Sequence, residues 1–156
     1  MKENGESEEF GNIDIYKAKK KNFKEIAEIY ADGFSEHPYN DLWTLKTALD
    51  KIKTFSKYCD IWDIFYENKL VGFVIINPNH WFPGKFCFVE NIGIKKEFRD
   101  KSIGRVVIKS MMVIYKEKGF EYFMGLANKQ SRAFKLWESL GIKESEDDKV
   151  ISKRLE

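Results

Sequence analysis

Little in this chain speaks for sulfur or metal chemistry. Its 156 residues include 2 cysteines, Cys59 and Cys87, and 2 histidines, His37 and His80. They form no CxxC pair and no Cys–His spacing of a zinc site, so the reading is a reduced, cytoplasmic protein with no structural metal. Long apolar runs are missing too. The longest, residues 103–115, is broken by Arg105 and Lys109 and falls short of the roughly 20 apolar residues that span a bilayer. Residues 1–12 carry Glu3, Glu6, Glu8 and Glu9 without the apolar stretch of a secretory signal, and are expected to be a disordered acidic tail. Nor does one charge dominate: 27 Lys and Arg against 25 Asp and Glu leave +2, so no overall field points to nucleic acid or a membrane surface. Lys17, Lys19, Lys20, Lys21 and Lys24 read as a solvated face. With 3 prolines and no repeat or low-complexity linker, residues 13–156 are expected to form one domain.

What the chain does hold is core material, 43% hydrophobic residues with 13 Phe. Ile13, Ile15 and Ala18 suggest a strand. Asn22 as N-cap, with Glu25 three residues on, then opens a helix bearing Phe23, Ile26, Ala27, Tyr30 and Phe34 and stopping near Gly33. Leu42, Leu45, Leu49, Ile52 and Phe55 repeat at helical spacing and predict a second helix. Residues 61–66 and 70–76 read as a hairpin across Glu67-Asn68-Lys69, and residues 86–94 as a strand covered on both faces and placed centrally. A helix over 103–118 with Gly119 after it, a strand over 122–127, a helix through Ala133, Leu136, Trp137 and Leu140, and a last strand over 150–155 complete the order. Strands interleaved with helices give an α/β fold, one mixed sheet flanked by helices.

Chemistry concentrates in Glu90-Asn-Ile-Gly-Ile94-Lys-Lys-Glu-Phe-Arg99-Asp-Lys-Ser-Ile-Gly104-Arg105, where a strand runs through a short polar loop into a long helix. Free backbone N–H groups at a helix start carry the positive end of its dipole and can cradle phosphate oxygens. Ser102 and Gly104 allow close approach there, and Arg99, Lys101 and Arg105 add charged donors. The same residues also suit an ordinary helix start with Ser102 as N-cap.

The segment resembles the phosphate loop of the GNAT superfamily of acyl-CoA-dependent N-acyltransferases, Arg/Gln-x-x-Gly-x-Gly/Ala. Arg99-Asp100-Lys101-Ser102-Ile103-Gly104 matches except that Ser102 replaces the first glycine, and Ile92-Gly93-Ile94 ends the preceding strand as in the family. Asn128, Ala133 and Leu136-Trp137-Glu138-Ser139-Leu140-Gly141-Ile142 are similar to the family's second motif, with Trp137 where a tyrosine is usual. The resemblance covers roughly residues 13–155. It implies the family's fold, a central mixed sheet flanked by helices, and transfer of an acetyl group from acetyl-CoA to a primary amine of a small molecule or peptide, by direct attack in a ternary complex. By the same resemblance the pyrophosphate would lie on the backbone of Asp100, Lys101, Ser102, Ile103, Gly104 and Arg105. The pantetheine arm would pair with the edge at Ile92, Gly93 and Ile94, and Asn128 would meet it from the neighbouring strand.

Attack on a thioester requires a neutral amine, hence a base within reach. Glu90, a carboxylate in an otherwise apolar strand, is the candidate; a glutamate paired with a lysine is the plainer reading. An indole N–H is no general acid, so Trp137 leaves proton donation to the thiolate to Tyr115 or a water, and core packing at helical spacing is the favoured reading of Trp137 itself. Ser102 is expected to cost strain if its backbone needs φ > 0. The acceptor pocket implied by the family lies between residues 33–43 and 77–85, where Glu36, Tyr39, Trp43 and Trp81 combine aromatic surface with an acid suited to a cationic amine. Aromatic residues that merely tuck loops onto the core remain an alternative. So does a non-catalytic CoA-binding regulatory or interaction module on the same fold. The acceptor's identity, the acyl length and the oligomeric state, a homodimer included, stay open.

Overall fold

Apolar alternation and tight turns lay the first four strands down as neighbours. In the computed structural model, which describes residues 13–155, β1 (Ile13–Lys17), β2 (Asp60–Tyr66), β3 (Lys69–Asn77), β4 (Phe86–Ile94) and β5 (Tyr122–Gly125) form one sheet in that order. All pairs are antiparallel except β4 with β5, which run parallel. The β2–β3 turn follows the hairpin reading: Glu67 and Asn68 stand at φ 48° and 64°, the left-handed pair whose twist matches the flanking strands.

Helices α1 (Phe23–Ser35) and α2 (Leu45–Phe55) cover one face of the sheet, and α3 (Ile103–Glu117) with α4 (Arg132–Ser139) the other. Successive strand side chains point to opposite faces. Along β3, Phe73 and Ile75 therefore enter the core under α1 and α2, while Val74 and Ile76 enter the core under α3. The result is a mixed sheet between two helical layers, as the sequence suggested.

Several local expectations change. The central strand is β3, buried from Leu70 to Ile76, whereas β4 stands one place from the edge. Asn22 does not cap α1: its Nδ2 donates to Asp63 Oδ2 at 2.7 Å, because a buried carboxylate from β2 takes the amide first. Leu42 is 98% exposed and lies outside α2, which starts after a reciprocal Thr44–Thr47 capping box. The last strand does not form. Val150, Ile151 and Leu155 are exposed, and no backbone hydrogen bond joins residues 143–155 to the sheet. β propensity alone supplies no ladder partner. The expected tail at residues 1–12 lies outside the described residues.

Candidate active site

The site begins where two parallel strands part. Pairing of β4 with β5 ends at Val89 with Gly125, and residues 90–94 continue without a partner on that side. Trp137 of α4 explains the glycine, since a Cβ on Gly125 would run into the six-membered ring of its indole. On the opposite edge, Ile76 pairs with Val89 and Ile75 with Asn91, so Glu90 is the extra residue of a β-bulge. A bulge re-aims its side chain, and Glu90 lines the cleft that opens at the fork.

That cleft encloses about 400 Å³. Among the residues expected from sequence it brings together Glu90, Ile92, Tyr39, Trp43 and Asn128, with Ala133 and Trp137 of the second motif. Tyr30, Phe34, Asp41, Asn91 and Ala127 also line it and were not singled out as site residues: Tyr30 and Phe34 read as core stripe, and Asp41 lies in a loop without periodicity. The Tyr30 hydroxyl is pushed up to about 12, first by burial, then by the negative charges of Asp41 and Glu90. Asn77 Nδ2 donates to Glu90 Oε1 at 3.4 Å. The wall thus combines five aromatic side chains with two carboxylates, a surface suited to a cationic nitrogen. Two indole N–H groups on the lining, those of Trp43 and Trp137, are buried without a hydrogen-bond partner.

Glu36 and Trp81 do not reach the cleft lining. Glu36 Oε1 instead meets Arg99 Nη2 at 2.7 Å, and Arg99 Nε donates to the Ile94 carbonyl at 3.1 Å. Arg99 is thereby committed to joining the end of α1 to the end of β4. Trp81, 56% exposed, packs against His80 and Phe86 on the β3–β4 loop.

The loop before α3 is built from strained backbone. Asp100 and Ser102 both lie in the left-handed region, φ 63° and 60°, and Ser102 makes no side-chain cap. The conditional cost attached to serine therefore applies, and the simple N-cap reading does not. Lys101 is exposed, and Ile103 is buried in the core. Contacts with α4 brace the loop: Arg132 pairs with Asp100 at 3.2 Å, Arg105 Nη1 donates to Ser139 Oγ at 2.9 Å, and a Cβ on Gly104 would stand 3.2 Å from Leu136. Gly93 has a structural duty of its own, because a Cβ there would press on the Phe73 ring across the ladder.

Tyr115 is not available as a proton donor to the cleft. Its hydroxyl donates to Asp60 Oδ2 at 2.5 Å and accepts from Trp62 Nε1 at 3.2 Å, and burial with that carboxylate drives its pKa far up. Cys59 and Cys87 are free thiols, pushed up by burial to about 12 and about 11. Among the described residues no group of three His, Cys, Asp or Glu side chains is placed to hold a metal ion, and no helix is long and apolar enough to cross a membrane.

Residues 23–142 match the model of the acetyltransferase (GNAT) family. The fold is similar to a possible acetyltransferase from Clostridium difficile 630, with TM-score 0.76 and 16% identity over 92% of this chain and 99% of that one. It is also similar to the aminoglycoside N-acetyltransferase AAC(6′)-Iy in complex with CoA, with TM-score 0.70 and 16% identity over 92% and 96%. A ribosomal-protein-alanine N-acetyltransferase from Brucella melitensis biovar Abortus 2308 superposes with TM-score 0.71 and 19% identity over 93% and 100%. A search of curated proteins by sequence gave no match.

Proposed function

The chain belongs to the GNAT acetyltransferase family, and from that premise we propose that it transfers the acetyl group of acetyl-CoA to a primary amine of a small molecule or peptide. The observation that carries this reading is the fork itself: five residues of β4 that have no partner on the β5 side, beside an aromatic cleft, with Glu90 bulged out at their start. Acetyl-CoA supplies the activated acyl group as a thioester. The free edge at Ile92, Gly93 and Ile94 offers backbone donors and acceptors to an amide-bearing chain laid along it. The backbone of residues 100–105, at the positive end of α3, suits its pyrophosphate.

In this reading Glu90 takes the proton from the ammonium, directly or through water, so that the neutral amine attacks the carbonyl within one ternary complex. Asp41 and the rings of Tyr30, Phe34, Tyr39 and Trp43 receive the amine while it is still cationic. Two structural neighbours are an aminoglycoside N-acetyltransferase and a ribosomal-protein-alanine N-acetyltransferase, which supports an amine acceptor and leaves small molecule and peptide both in play. The free thiols Cys59 and Cys87 suit a reducing, cytoplasmic setting.

Calorimetric titration with acetyl-CoA and CoA tests the donor. Micromolar binding is expected in the wild type and its loss in Gly104→Glu, which adds a carboxylate and bulk beside Leu136. With an acceptor found by screening amines for CoA release, Glu90→Gln should lower kcat about 100-fold at neutral pH and leave CoA affinity nearly unchanged. Unchanged turnover across pH removes Glu90 from the mechanism. A non-catalytic CoA-binding module is the second reading, favoured by the left-handed Ser102; it gains if CoA binds and no amine is acetylated.

A further inference from the structure

Away from the cleft, a second hollow of about 530 Å³ lies between the start of α1 and the end of α2. Five lysines stand around it, Lys20, Lys21 and Lys24 on one side, Lys53 and Lys57 on the other. The first three belong to the run that reads in sequence as a solvated face, and the other two join them only because α2 packs against α1. All five are exposed, no Asp or Glu lines the hollow, and among the described residues none of the five is in an ion pair. Two acids close in sequence are engaged elsewhere, Glu25 with Lys95 at 2.7 Å and Asp50 with Lys46 at 2.9 Å. Glu28, one turn on from Lys24, is exposed and makes no ion pair with it. Like charges gathered this closely repel. Lys20, Lys21 and Lys24 also crowd the N-terminal end of α1, where the helix dipole disfavours cations. With a net charge of only +2, the chain concentrates this positive charge locally. Beneath the lysines, Phe23 and the half-buried Leu49 present apolar surface continuous with the core under α1 and α2. A merely solvated face has no use for an apolar floor between two cationic rims.

We propose that this hollow is a docking groove for an acidic segment of a partner protein, with carboxylates on the two lysine rims and one apolar side chain against Phe23 and Leu49. Charge complementarity and the shape of the groove select that occupant. Lysines are point charges on flexible stems, suited to carboxylates spaced along a chain, and the groove holds no arginine fork for bidentate capture of phosphate. Its one ring, Phe23, is only 9% exposed and gives a nucleobase no face to stack on. A membrane surface would need apolar side chains that protrude, whereas Phe23 and Leu49 lie below the lysines. A peptide is narrow enough to enter between two helices and can satisfy rims and floor together. The groove is independent of the acetyltransferase reading: no residue lines both hollows, and Phe34 at the cleft lies about 15 Å along α1 from Lys24.

The probe is a fluorescein-labelled peptide of about eight glutamates with one central phenylalanine, titrated by anisotropy against the full chain. Micromolar binding is expected, weakening about tenfold between about 50 and about 250 mM salt. Lys20→Glu with Lys24→Glu should weaken it about tenfold, and so should Lys53→Glu with Lys57→Glu, because both rims are needed. These lysines are exposed, and glutamate at the start of α1 suits its dipole, so the first pair keeps the fold. Lys143→Glu with Lys153→Glu makes the same change of net charge on exposed residues beyond α4 and should shift the affinity less than about twofold. Replacing the peptide's phenylalanine by glycine should cost about fivefold. Absence of binding, an equal loss from the remote pair, or no effect of the phenylalanine overturns the proposal. Tighter binding of single-stranded RNA or of phosphatidylserine vesicles, lost in the same rim variants, gives the groove to a nucleic acid or a membrane and overturns it too. Binding that emerges only when Glu3, Glu6, Glu8 and Glu9 are all changed to Gln assigns the groove to this chain's own acidic segment, against a partner from outside. The CoA titration is read separately, so failure here leaves the acetyltransferase reading standing.

Discussion

Two single residues are held at an energetic disadvantage, and each can be tested alone. Ser102 at φ 60° pays the left-handed cost that glycine avoids. Ser102→Gly is expected to stabilise the protein by about 1 kcal/mol in urea unfolding, an upper figure because glycine also gains freedom in the unfolded chain, and to tighten CoA binding in the same calorimetric titration. Asp63 is the second. It is 1% exposed, Oδ2 accepts from Asn22, and Oδ1 has no partner. Burial pushes its carboxyl above the usual range, against the hydrogen bonds from Asn22 and the Lys19 backbone that pull it down. A folded-state pKa above the unfolded value of about 3.9 favours folding fully only below that value, and the benefit fades as pH climbs through the raised pKa. Wild type should therefore lose stability relative to Asp63→Asn between about pH 4 and neutrality. Parallel urea midpoints for the two proteins across that span would show that Asp63 titrates as it does unfolded.

At the level of elements, the contact of α4 with β5 is what keeps the fork open. Gly125→Ala places a methyl against the Trp137 ring, and the expected cost is about 2 kcal/mol with weakened CoA binding, because ring and strand must separate together. Helices and strands with strong periodicity were readable in advance: residues 86–94 were expected as a strand and are β4, and α3 begins at Ile103 as its apolar stripe implied. The family resemblance was equally legible, since its motif over residues 99–104 is a local string. What escaped was whatever depends on a second element. Asn22 looks like a cap until Asp63 arrives from β2, and Arg99 looks like a phosphate donor until Glu36 arrives from α1. The strand proposed at 150–155 fails for the same reason, having suitable residues and no ladder to join. Asp41 and Tyr30 face the cleft because of how α1 and its following loop fold against β4, a relation no spacing in the chain encodes.

For the molecule as a whole, β3 is the shared wall of both cores. Ile75 serves the core under α1 and α2, and its neighbour Ile76 serves the core under α3. We expect residues 13–155 to unfold as one cooperative unit, with Ile75→Ala and Ile76→Ala each costing about 2–5 kcal/mol and each moving one common midpoint. Fluorescence from Trp43, beside the first core, and from Trp62 and Trp137, within the second, should report the same transition. Two midpoints would mean that the layers melt separately.

The bulge in β4 carries one more consequence, which is a matter of parity. Cys87 and Val89 face the core under α3, and so do Ile92 and Ile94, odd numbers before residue 90 and even numbers after it. An unbroken strand would have sent one of those pairs to the wrong side. Removing residue 90 altogether would leave both halves in step with the core and the β3 ladder regular from Ile75 to Ile76. Glu90 is thus the one residue of its strand that the architecture could spare, and its presence there answers to the cleft, not to the fold.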